Sequence, residues 1–231
     1  IGDARALSAR RRSTVRLTKS VRFDSGGHTG AMRIIGLVGG IASGKTTVAE
    51  LLRERGAIVL DADRAGHQVL NELEVRHALV QRWGDSILDE RGRVNRAAVA
   101  ERVFGSSPDA AAERQFLEEV VHPRIRLRLE AEVAGLPHTA APAVVIDAPL
   151  LFEAGWDTIC RHTLLVDCRR ECRAARAAQR GWSDAELARR EAVQMPIVEK
   201  RRRASHVIRN DGSLDELRRH VDDFWKSVVR Y

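Results

Sequence analysis

Short apolar runs alternate along the chain with longer segments in which apolar residues recur every three or four positions. The apolar runs predict β-strands, and the periodic segments predict helices. The predicted strands are 33–38, 57–61, 143–147, 162–167 and 206–209. The predicted helices are 45–55, 65–73, 75–83, 96–104, 109–133, 169–180, 184–194 and 214–229. This alternation is typical of an α/β fold, in which crossover helices connect the strands of a parallel sheet.

Two segments interrupt the alternation. The chain between the second and third predicted strands is helical throughout, and so long a connection predicts a helical insert at about 75–133. Segment 176–203 is helical, rich in arginine and interrupted by the sequence GWS and by Pro196. We interpret this second segment as a lid that closes on bound phosphates. The simpler alternative is a solvated pair of basic helices.

The first 31 residues differ from the rest of the chain. They show no sustained apolar period and hold seven basic residues against two acidic ones. Because this composition cannot bury a core, we expect 1–31 to be a disordered basic leader and 32–231 to be the folded domain. The leader resembles an organelle transit peptide. The alternative, which we favour, is a dispensable extension upstream of a gene product that begins at Met32.

The net charge of +7 is concentrated in this leader, because the other 200 residues carry 32 basic and 30 acidic side chains. A nearly neutral body argues against nucleic acid as a partner. No apolar run approaches the roughly 18 residues of a membrane span, so no membrane partner is expected. The three cysteines, Cys160, Cys168 and Cys172, include no CxxC pair. They predict reduced thiols in a cytoplasmic protein rather than disulfides or a zinc site.

A glycine-rich turn carries the most specific chemical information. Gly39, four further residues and then Gly44-Lys45-Thr46 fit the pattern G-x-x-x-x-G-K-[ST], between a predicted strand and a predicted helix. Backbone N–H groups of such a P-loop cradle the phosphates of a nucleoside triphosphate, with Lys45 at the β- and γ-phosphates and the Thr46 hydroxyl on Mg²⁺. The predicted cradle consists of Gly39, Gly40, Ile41, Ala42, Ser43, Gly44, Lys45, Thr46 and Thr47.

Carboxylates follow two of the predicted strands. Asp61 and Asp63 come at the end of the second strand, at the edge of the sheet where open α/β folds bind their ligands. A carboxylate there binds Mg²⁺ through water or accepts the proton of an acceptor hydroxyl, although aspartates at strand ends also cap helices. Asp147 ends the third strand and competes as the metal carboxylate. The guanine-binding sequence N-K-x-D is absent, which disfavours a GTPase.

Together these segments resemble one enzyme family over nearly all of 32–229. The stretches that carry the resemblance are GLVGGIASGKTTVAELLRERGAIVLDADRAGHQVL, GRVNRAAVAERVF, VVHPRI, DAPLLFEAG, LLVD, AARAAQRGWS, EAVQM and HVIRNDGS. They resemble dephospho-coenzyme A kinase, a P-loop kinase that phosphorylates the ribose 3′-hydroxyl of dephospho-coenzyme A in the last step of coenzyme A synthesis.

The resemblance implies a three-layer α/β kinase with a five-stranded parallel sheet, a helical substrate-binding insert and a helical lid. It also implies ATP and Mg²⁺ as cofactors, dephospho-coenzyme A as substrate, and a cytoplasmic monomer. Two alternatives remain open. One is a P-loop kinase for another small acceptor, such as a nucleotide or a sugar, and the other is a regulatory P-loop ATPase.

The resemblance also implies roles for individual residues. Asp63 is expected to orient and deprotonate the acceptor hydroxyl, while Lys45 and Arg176 neutralise charge on the transferred phosphoryl group. The predicted substrate contacts are Asp63, His67, His122, Pro149 and Leu150. Without the family, His122 would more often be a structural histidine.

The chain departs from the family pattern at two places besides the leader. Ala42 stands where the P-loop usually has glycine, and a small residue fits there if its φ is negative. Between Arg180 and Ser183 the chain has only Gly-Trp, one position fewer than usual and without the common acidic residue. This second departure bears on the geometry of the lid hinge.

Overall fold

The computed structural model describes residues 32–105, 107–137 and 139–229, so the predicted leader 1–31 lies outside the described residues. The described chain forms a five-stranded sheet in the order β2-β3-β1-β4-β5. Every strand pairing is parallel, which confirms the predicted sheet. The strands are β1 (Arg33–Gly39), β2 (Ile58–Asp61), β3 (Ala143–Asp147), β4 (His162–Asp167) and β5 (His206–Arg209).

Helices surround the sheet and fill the long connection. They are α1 (Lys45–Glu54), α2 (Ala62–Val69), α3 (Leu73–Trp83), α4 (Arg96–Phe104), α5 (Ala110–Ala134), α6 (Arg170–Gln179), α7 (Asp184–Glu191), α8 (Ile197–Arg203) and α9 (Leu214–Val229). Helix α2 begins three residues earlier than predicted, because the Asp61 carboxylate accepts a hydrogen bond from the backbone N–H of Arg64 at 3.0 Å and caps the helix directly after β2.

Both faces of the sheet are covered, which explains why the strands read as continuous apolar runs. On β1, Ile35 and Leu37 pack with the buried residues of α1 and α9. Ile34 and Val38 point to the opposite face and pack with the buried residues of α2 to α5. The central strand β1 is therefore fixed between two apolar layers, and the loop that follows it starts from a rigid position.

Helices α2 to α5 form the long connection, in which α5 contacts α2, α3 and α4. Helix α5 runs for 25 residues and continues through Pro123, which has no N–H to donate to the preceding turn. Among the helices of the described residues, none is both long enough and apolar enough to cross a bilayer.

Candidate active site

The P-loop connects β1 to α1 and depends on two glycines. Gly44 caps α1 in the left-handed region, with φ of 94°, and a Cβ there would overlap Asn210 Nδ2. A Cβ on Gly39 would lie 2.5 Å from Ser43 Oγ. Asn210 Nδ2 also donates a hydrogen bond to the Ser43 carbonyl at 2.8 Å, so the loop is tied to the end of β5. The first N–H groups of α1 therefore remain directed at the loop opening, where they bind anions.

Ala42 adopts a conformation that we did not expect. Its φ is +58°, so the condition under which a small residue fits without strain, a negative φ, is not met. An L-residue in this left-handed region costs about 1–2 kcal/mol. The Ala42 side chain is buried with Ala177 of α6 and Leu187 of α7. This apolar contact with the two helices offsets the backbone cost and joins the P-loop to the basic segment.

Substitutions at Ala42 test this conformation. We expect Ala42→Gly to change the free energy of unfolding by no more than about 1 kcal/mol, since relief of strain is offset by the lost methyl contact and by the greater freedom of glycine in the unfolded chain. We expect Ala42→Val to destabilise by about 2 kcal/mol or more, because a β-branched residue is strained at positive φ and overfills the contact. Urea denaturation measures both; a stable Ala42→Val variant would contradict the positive φ.

Lys45 lies beside the carboxylate that ends β3. Its Nζ donates to Asp147 Oδ1, and the two side chains are 18% and 14% exposed. Asp147 is aligned with Leu37 of β1 and with Asp61 of β2 in the parallel sheet. The register thus brings the phosphate-binding lysine and the strand-end carboxylates to one edge of the sheet, as expected for ligand binding in this fold class.

The two aspartates after β2 differ in their surroundings. Both are exposed residues, but the Asp61 side chain caps α2, as described above. Asp63 lines the cleft above the P-loop. Desolvation by the cleft walls raises the pKa of the Asp63 carboxyl; Lys45 opposes this shift, whereas Asp61 and Asp147 add to it. A carboxylate with a raised pKa and access to the cleft is suited to accept a proton.

A cleft of about 1360 Å³ extends from the P-loop to the insert. This exceeds the roughly 300–1,000 Å³ of a typical single-ligand pocket, so the cleft has room for two substrates. Three groups of residues line the cleft. They are the cradle Gly39 to Thr47 with Asp63 and Pro149; Ala97, Ala100, Glu101, Val103, Phe104, Gly105, Ser107, Pro108, Ala110, Ala111 and Arg114 of the insert; and Arg180, Trp182, Arg189, Arg190, Val193 and Gln194 of the basic segment.

Arg176 has partners other than those implied by the resemblance. Its guanidinium donates to the carbonyls of Ser43 and Asn210 at 3.2 and 2.8 Å, and to Cys168 Sγ at 3.2 Å. These contacts hold it behind the P-loop, and it is not among the described residues that line the cleft. The structure therefore gives Arg176 an anchoring role, and its direct contact with phosphate stays a prediction.

Three other arginines of the same segment line the cleft: Arg180, Arg189 and Arg190. The Arg190 guanidinium lies 4.3 Å from the centroid of the Trp182 ring. Arg189 and Arg190 both pair with Glu186, at 2.9 and 2.6 Å. The sequence marked this stretch as basic, but it did not distinguish the arginines that face the cleft from those that face the protein.

Arginine-to-lysine substitutions separate these two positions. We expect Arg176→Lys to lower the melting temperature and weaken ATP binding about tenfold, because one ammonium cannot bridge the two carbonyls that the planar guanidinium joins. We expect Arg180→Lys to leave the melting temperature unchanged and to lower kcat, because Arg180 is exposed in the cleft. Calorimetry and ATP titration measure the pair. Equal melting temperatures for the two variants would argue against the anchoring role of Arg176.

The predicted substrate contacts are only partly brought together. Pro149 lines the cleft beside Asp63. Of the described residues that form the cleft wall, none is His67, His122 or Leu150. His67 is exposed on α2, and His122 packs edge-to-face on Trp156 with ring centroids 5.5 Å apart. Burial lowers the pKa of His122, with Glu118 and Glu153 opposing the shift.

The structure also brings together Cys168, Cys172 and Asp211, whose possible ligand atoms all lie within 4.8 Å of one another. Two guanidinium groups already interact with this cluster. Arg176 donates to Cys168 Sγ at 3.2 Å, and Arg169 Nε lies 3.7 Å from Asp211. Burial raises the pKa of the Cys168 thiol to about 11. The two neighbouring guanidinium groups already occupy the carboxylate and one thiol, and two positive charges beside the cluster disfavour a metal cation there.

Comparison with known proteins identifies the family. The family model for dephospho-CoA kinase matches residues 33–216. The curated dephospho-CoA kinase of Symbiobacterium thermophilum is 40% identical over 199 residues, which are 85% of this chain and 82% of that protein. The dephospho-CoA kinase of Geobacter sulfurreducens is 37% identical over 196 residues, 84% of this chain and 98% of that protein.

Solved structures show the same similarity to this family. A crystal structure from Thermus thermophilus is 39% identical with a TM-score of 0.70, and the match covers 86% of this chain and 98% of that one. Dephospho-CoA kinase from Campylobacter jejuni has the same fold at 23% identity and a TM-score of 0.64, covering 85% and 97% of the two chains. The sequence motifs, the strand-edge carboxylates and these matches agree, and the chain belongs to the dephospho-CoA kinase family.

Proposed function

We propose that this chain performs the reaction of its family, transfer of the γ-phosphoryl group of ATP to the ribose 3′-hydroxyl of dephospho-coenzyme A to give coenzyme A. This transfer is the final step of coenzyme A biosynthesis. One observation carries the proposal: a single cleft joins the P-loop, with Lys45 at its base, to Asp63 and to a long wall formed by the insert. Donor and acceptor sites in one cleft are what a two-substrate kinase requires.

The donor half of the cleft is the P-loop. Its N–H groups and Lys45 bind the phosphates of ATP, and Lys45 neutralises the charge that develops on the transferred group. The exposed Thr46 hydroxyl and the nearby carboxylates of Asp63 and Asp147 are oxygen donors, the ligand type that Mg²⁺ prefers. We propose that Thr46 holds Mg²⁺, which supplies further charge neutralisation when bound with ATP.

The acceptor half begins at Asp63. In the proposed arrangement its carboxylate orients the ribose 3′-hydroxyl toward the phosphate and accepts its proton. The insert wall beyond it is mostly apolar, and Phe104 is 52% exposed there. Across the cleft Val193 is 41% exposed. Two apolar side chains exposed toward one cleft fit the pantetheine arm of the substrate.

The basic segment forms the third side. Arg180, Arg189 and Arg190 supply positive charge opposite the P-loop. We propose that this segment acts as a lid, which excludes water and so favours transfer to the hydroxyl over hydrolysis of ATP. Arg189 and Arg190 share the Glu186 carboxylate. A bound phosphate would therefore replace this carboxylate as the anion beside the two guanidinium groups.

Mass spectrometry of a reaction containing ATP, Mg²⁺ and dephospho-coenzyme A tests the proposal directly. We expect coenzyme A to appear, with one ADP formed for each coenzyme A. A nucleoside monophosphate and a sugar serve as competing acceptors under the same conditions. Turnover of either competitor without turnover of dephospho-coenzyme A would overturn the substrate assignment, and acceptor-independent hydrolysis would favour the ATPase alternative.

We propose further that the enzyme acts as a monomer in the cytoplasm. The monomer is what the family resemblance implies, and the three cysteines are free thiols, as is usual in a reducing compartment. Sedimentation equilibrium would contradict the monomer if the mass clearly exceeded the 25.7 kDa of one chain.

A further inference from the structure

Lys200 of α8 is a buried lysine that the proposed roles do not use. It is 1% exposed, and its ammonium has three acceptors. Nζ donates to the Pro149 carbonyl at 2.7 Å and to Gln194 Oε1 at 3.4 Å, and it pairs with Glu153 at 3.0 Å. A buried ammonium is costly unless it is paired and hydrogen-bonded, and this one is fully satisfied.

The three acceptors belong to two different walls of the cleft. Pro149 and Glu153 lie in the loop after β3, whereas Gln194 lies in the basic segment, between α7 and α8. Pro149 and Gln194 both line the cleft. Glu153 Oε1 also accepts a hydrogen bond from the backbone N–H of Met195 at 2.8 Å. Two side chains therefore connect the loop after β3 to the part of the lid between α7 and α8. Lys200, from the lid, donates to the Pro149 carbonyl in the loop, and Glu153, from the loop, accepts from the Met195 N–H in the lid.

Apolar packing contributes to this connection, because Met195 and Ile197 pack against the core cluster that includes Leu151 and Phe152, and the bonds of Lys200 and Glu153 add directional contacts to it. A second cavity of about 320 Å³ separates the P-loop from the end of the lid, and its lining includes Gly40, Ile41, Pro196 and Lys200. The P-loop and the basic segment therefore touch through the apolar contact of Ala42 with Ala177 and Leu187, while space remains between them near Lys200. Burial lowers the pKa of Lys200, Glu153 opposes that shift, and Lys45 adds to it, so the ammonium lies within electrostatic reach of the phosphate-binding lysine.

We propose that Lys200 is a positioning residue for phosphoryl transfer, which holds the loop after β3 and the end of the lid in one fixed relation across the cleft. Asp147 ends β3, two residues before Pro149, and it pairs with Lys45. A displacement of the loop at Pro149 would therefore act close to the carboxylate that holds Lys45. The inference rests on the proposed kinase function, because it assigns Lys200 a part in that same transfer.

The physical basis is the geometric demand of the reaction. Phosphoryl transfer depends mainly on positioning and on charge neutralisation, and a displacement of about 1 Å can cost about 10²-fold in rate. Stability makes no comparable demand on Lys200. Replacing both members of a buried ion pair by neutral groups of similar volume is often neutral or stabilising. A loss of activity without a loss of stability therefore distinguishes positioning from a merely structural role.

The central variant is Lys200→Met with Glu153→Gln, which removes both charges, preserves volume and leaves an oxygen to accept the Met195 N–H. We expect its melting temperature to stay within a few degrees of wild type and its kcat to fall about tenfold or more, with the KM for ATP nearly unchanged. We also expect more ATP hydrolysis per coenzyme A formed. Lys200→Arg should recover part of kcat. Lys226→Met, at an exposed position on α9, is the matched control.

A spectroscopic measurement keeps the test independent of steady-state rates. In protein labelled with 5-fluorotryptophan, Trp182 of the lid reports its surroundings by ¹⁹F NMR, and Trp182→Phe assigns its signal. We expect ATP with dephospho-coenzyme A to shift this signal to a single position in wild type and to leave it broad or divided in the double variant. Glu153→Gln alone, which retains the other two acceptors of Lys200, should give an intermediate result and covers the case of a double variant that fails to fold.

The outcomes separate this inference from the proposed function. If wild type makes no coenzyme A, the proposed function fails. A second outcome is that wild type makes coenzyme A and that the folded double variant keeps its kcat, its ratio of ATP hydrolysed to coenzyme A formed, and a single Trp182 signal. In that case the positioning role of Lys200 is overturned while the function stands. A fall in kcat that follows a fall in melting temperature across all variants, without rescue by Lys200→Arg, would also overturn it.

Discussion

Asp63→Asn is expected to lower kcat by about 10²-fold or more while the affinity for ATP stays near its wild-type value. Asparagine preserves the size of the side chain and a hydrogen-bond acceptor, but it cannot take the proton of the ribose hydroxyl. Asp63 lines the cleft outside the P-loop cradle, so its replacement leaves the phosphate contacts intact. Steady-state assays of coenzyme A formation, together with calorimetric titration of ATP, measure the two quantities separately.

Asp61→Asn is the matched control for this variant. Asp61 lies two residues away and caps α2 through its side chain. Asparagine caps helices about as well as aspartate, so the fold is preserved. We expect Asp61→Asn to keep kcat within a few-fold of wild type. A near wild-type kcat in Asp63→Asn, or an equal loss in both variants, would rule out the role assigned to Asp63.

The pH dependence of kcat/KM gives a second view of the same carboxyl group. Desolvation, Asp61 and Asp147 raise the pKa of Asp63 against the opposing effect of Lys45. A general base acts in its deprotonated form, so activity is lost as pH falls through this raised pKa, above the value of about 3.9 for an ordinary aspartate. Asp61→Asn removes one repulsive charge, and we expect it to move this loss to lower pH. A shift of this loss to higher pH would contradict the electrostatic effect of Asp61 on the pKa of Asp63.

The sheet and the P-loop could be predicted from the sequence because both depend on local patterns. A strand buried on both faces is a short continuous apolar run, and β1 and β3 show it clearly. The P-loop follows from the spacing of Gly39, Gly44 and Lys45 between a strand and a helix. The strand-end position alone left Asp61 and Asp63 open between ligand binding and helix capping, and the family resemblance singled out Asp63.

The rest of the site depends on side-chain directions that spacing does not encode. Arg176 and Arg180 are four residues apart, yet only Arg180 lines the cleft, because α6 ends at Gln179 and Arg180 lies beyond its last turn. Ala42 has a positive φ, and its methyl group is buried by two helices distant in sequence, a contact that the local sequence does not encode. Lys200 precedes three arginines in the run EKRRR, and only the fold distinguishes the buried cation from its exposed neighbours.

Lys45→Met is expected to lower kcat/KM by about 10³-fold or more and to weaken ATP binding. Removing one preorganised electrostatic group from a transition state costs about 10²–10³-fold in rate, and Lys45 also contributes to ground-state binding of the phosphates. Methionine retains most of the volume of the lysine side chain, so the P-loop is expected to keep its shape. Stopped-flow binding of a fluorescent ATP analogue and the coenzyme A assay measure the two losses.

The loss in Lys45→Met has two possible origins, and a second variant separates them. Without its partner, the Asp147 carboxylate remains at the base of the P-loop and repels the triphosphate, since the two side chains form an ion pair in the intact protein. Lys45→Met with Asp147→Asn removes that repulsion as well. If ATP affinity returns in the double variant while turnover stays low, the lysine acts mainly on the transferring phosphoryl group. If both recover, the defect came from the unpaired carboxylate, and the catalytic role of Lys45 would be excluded.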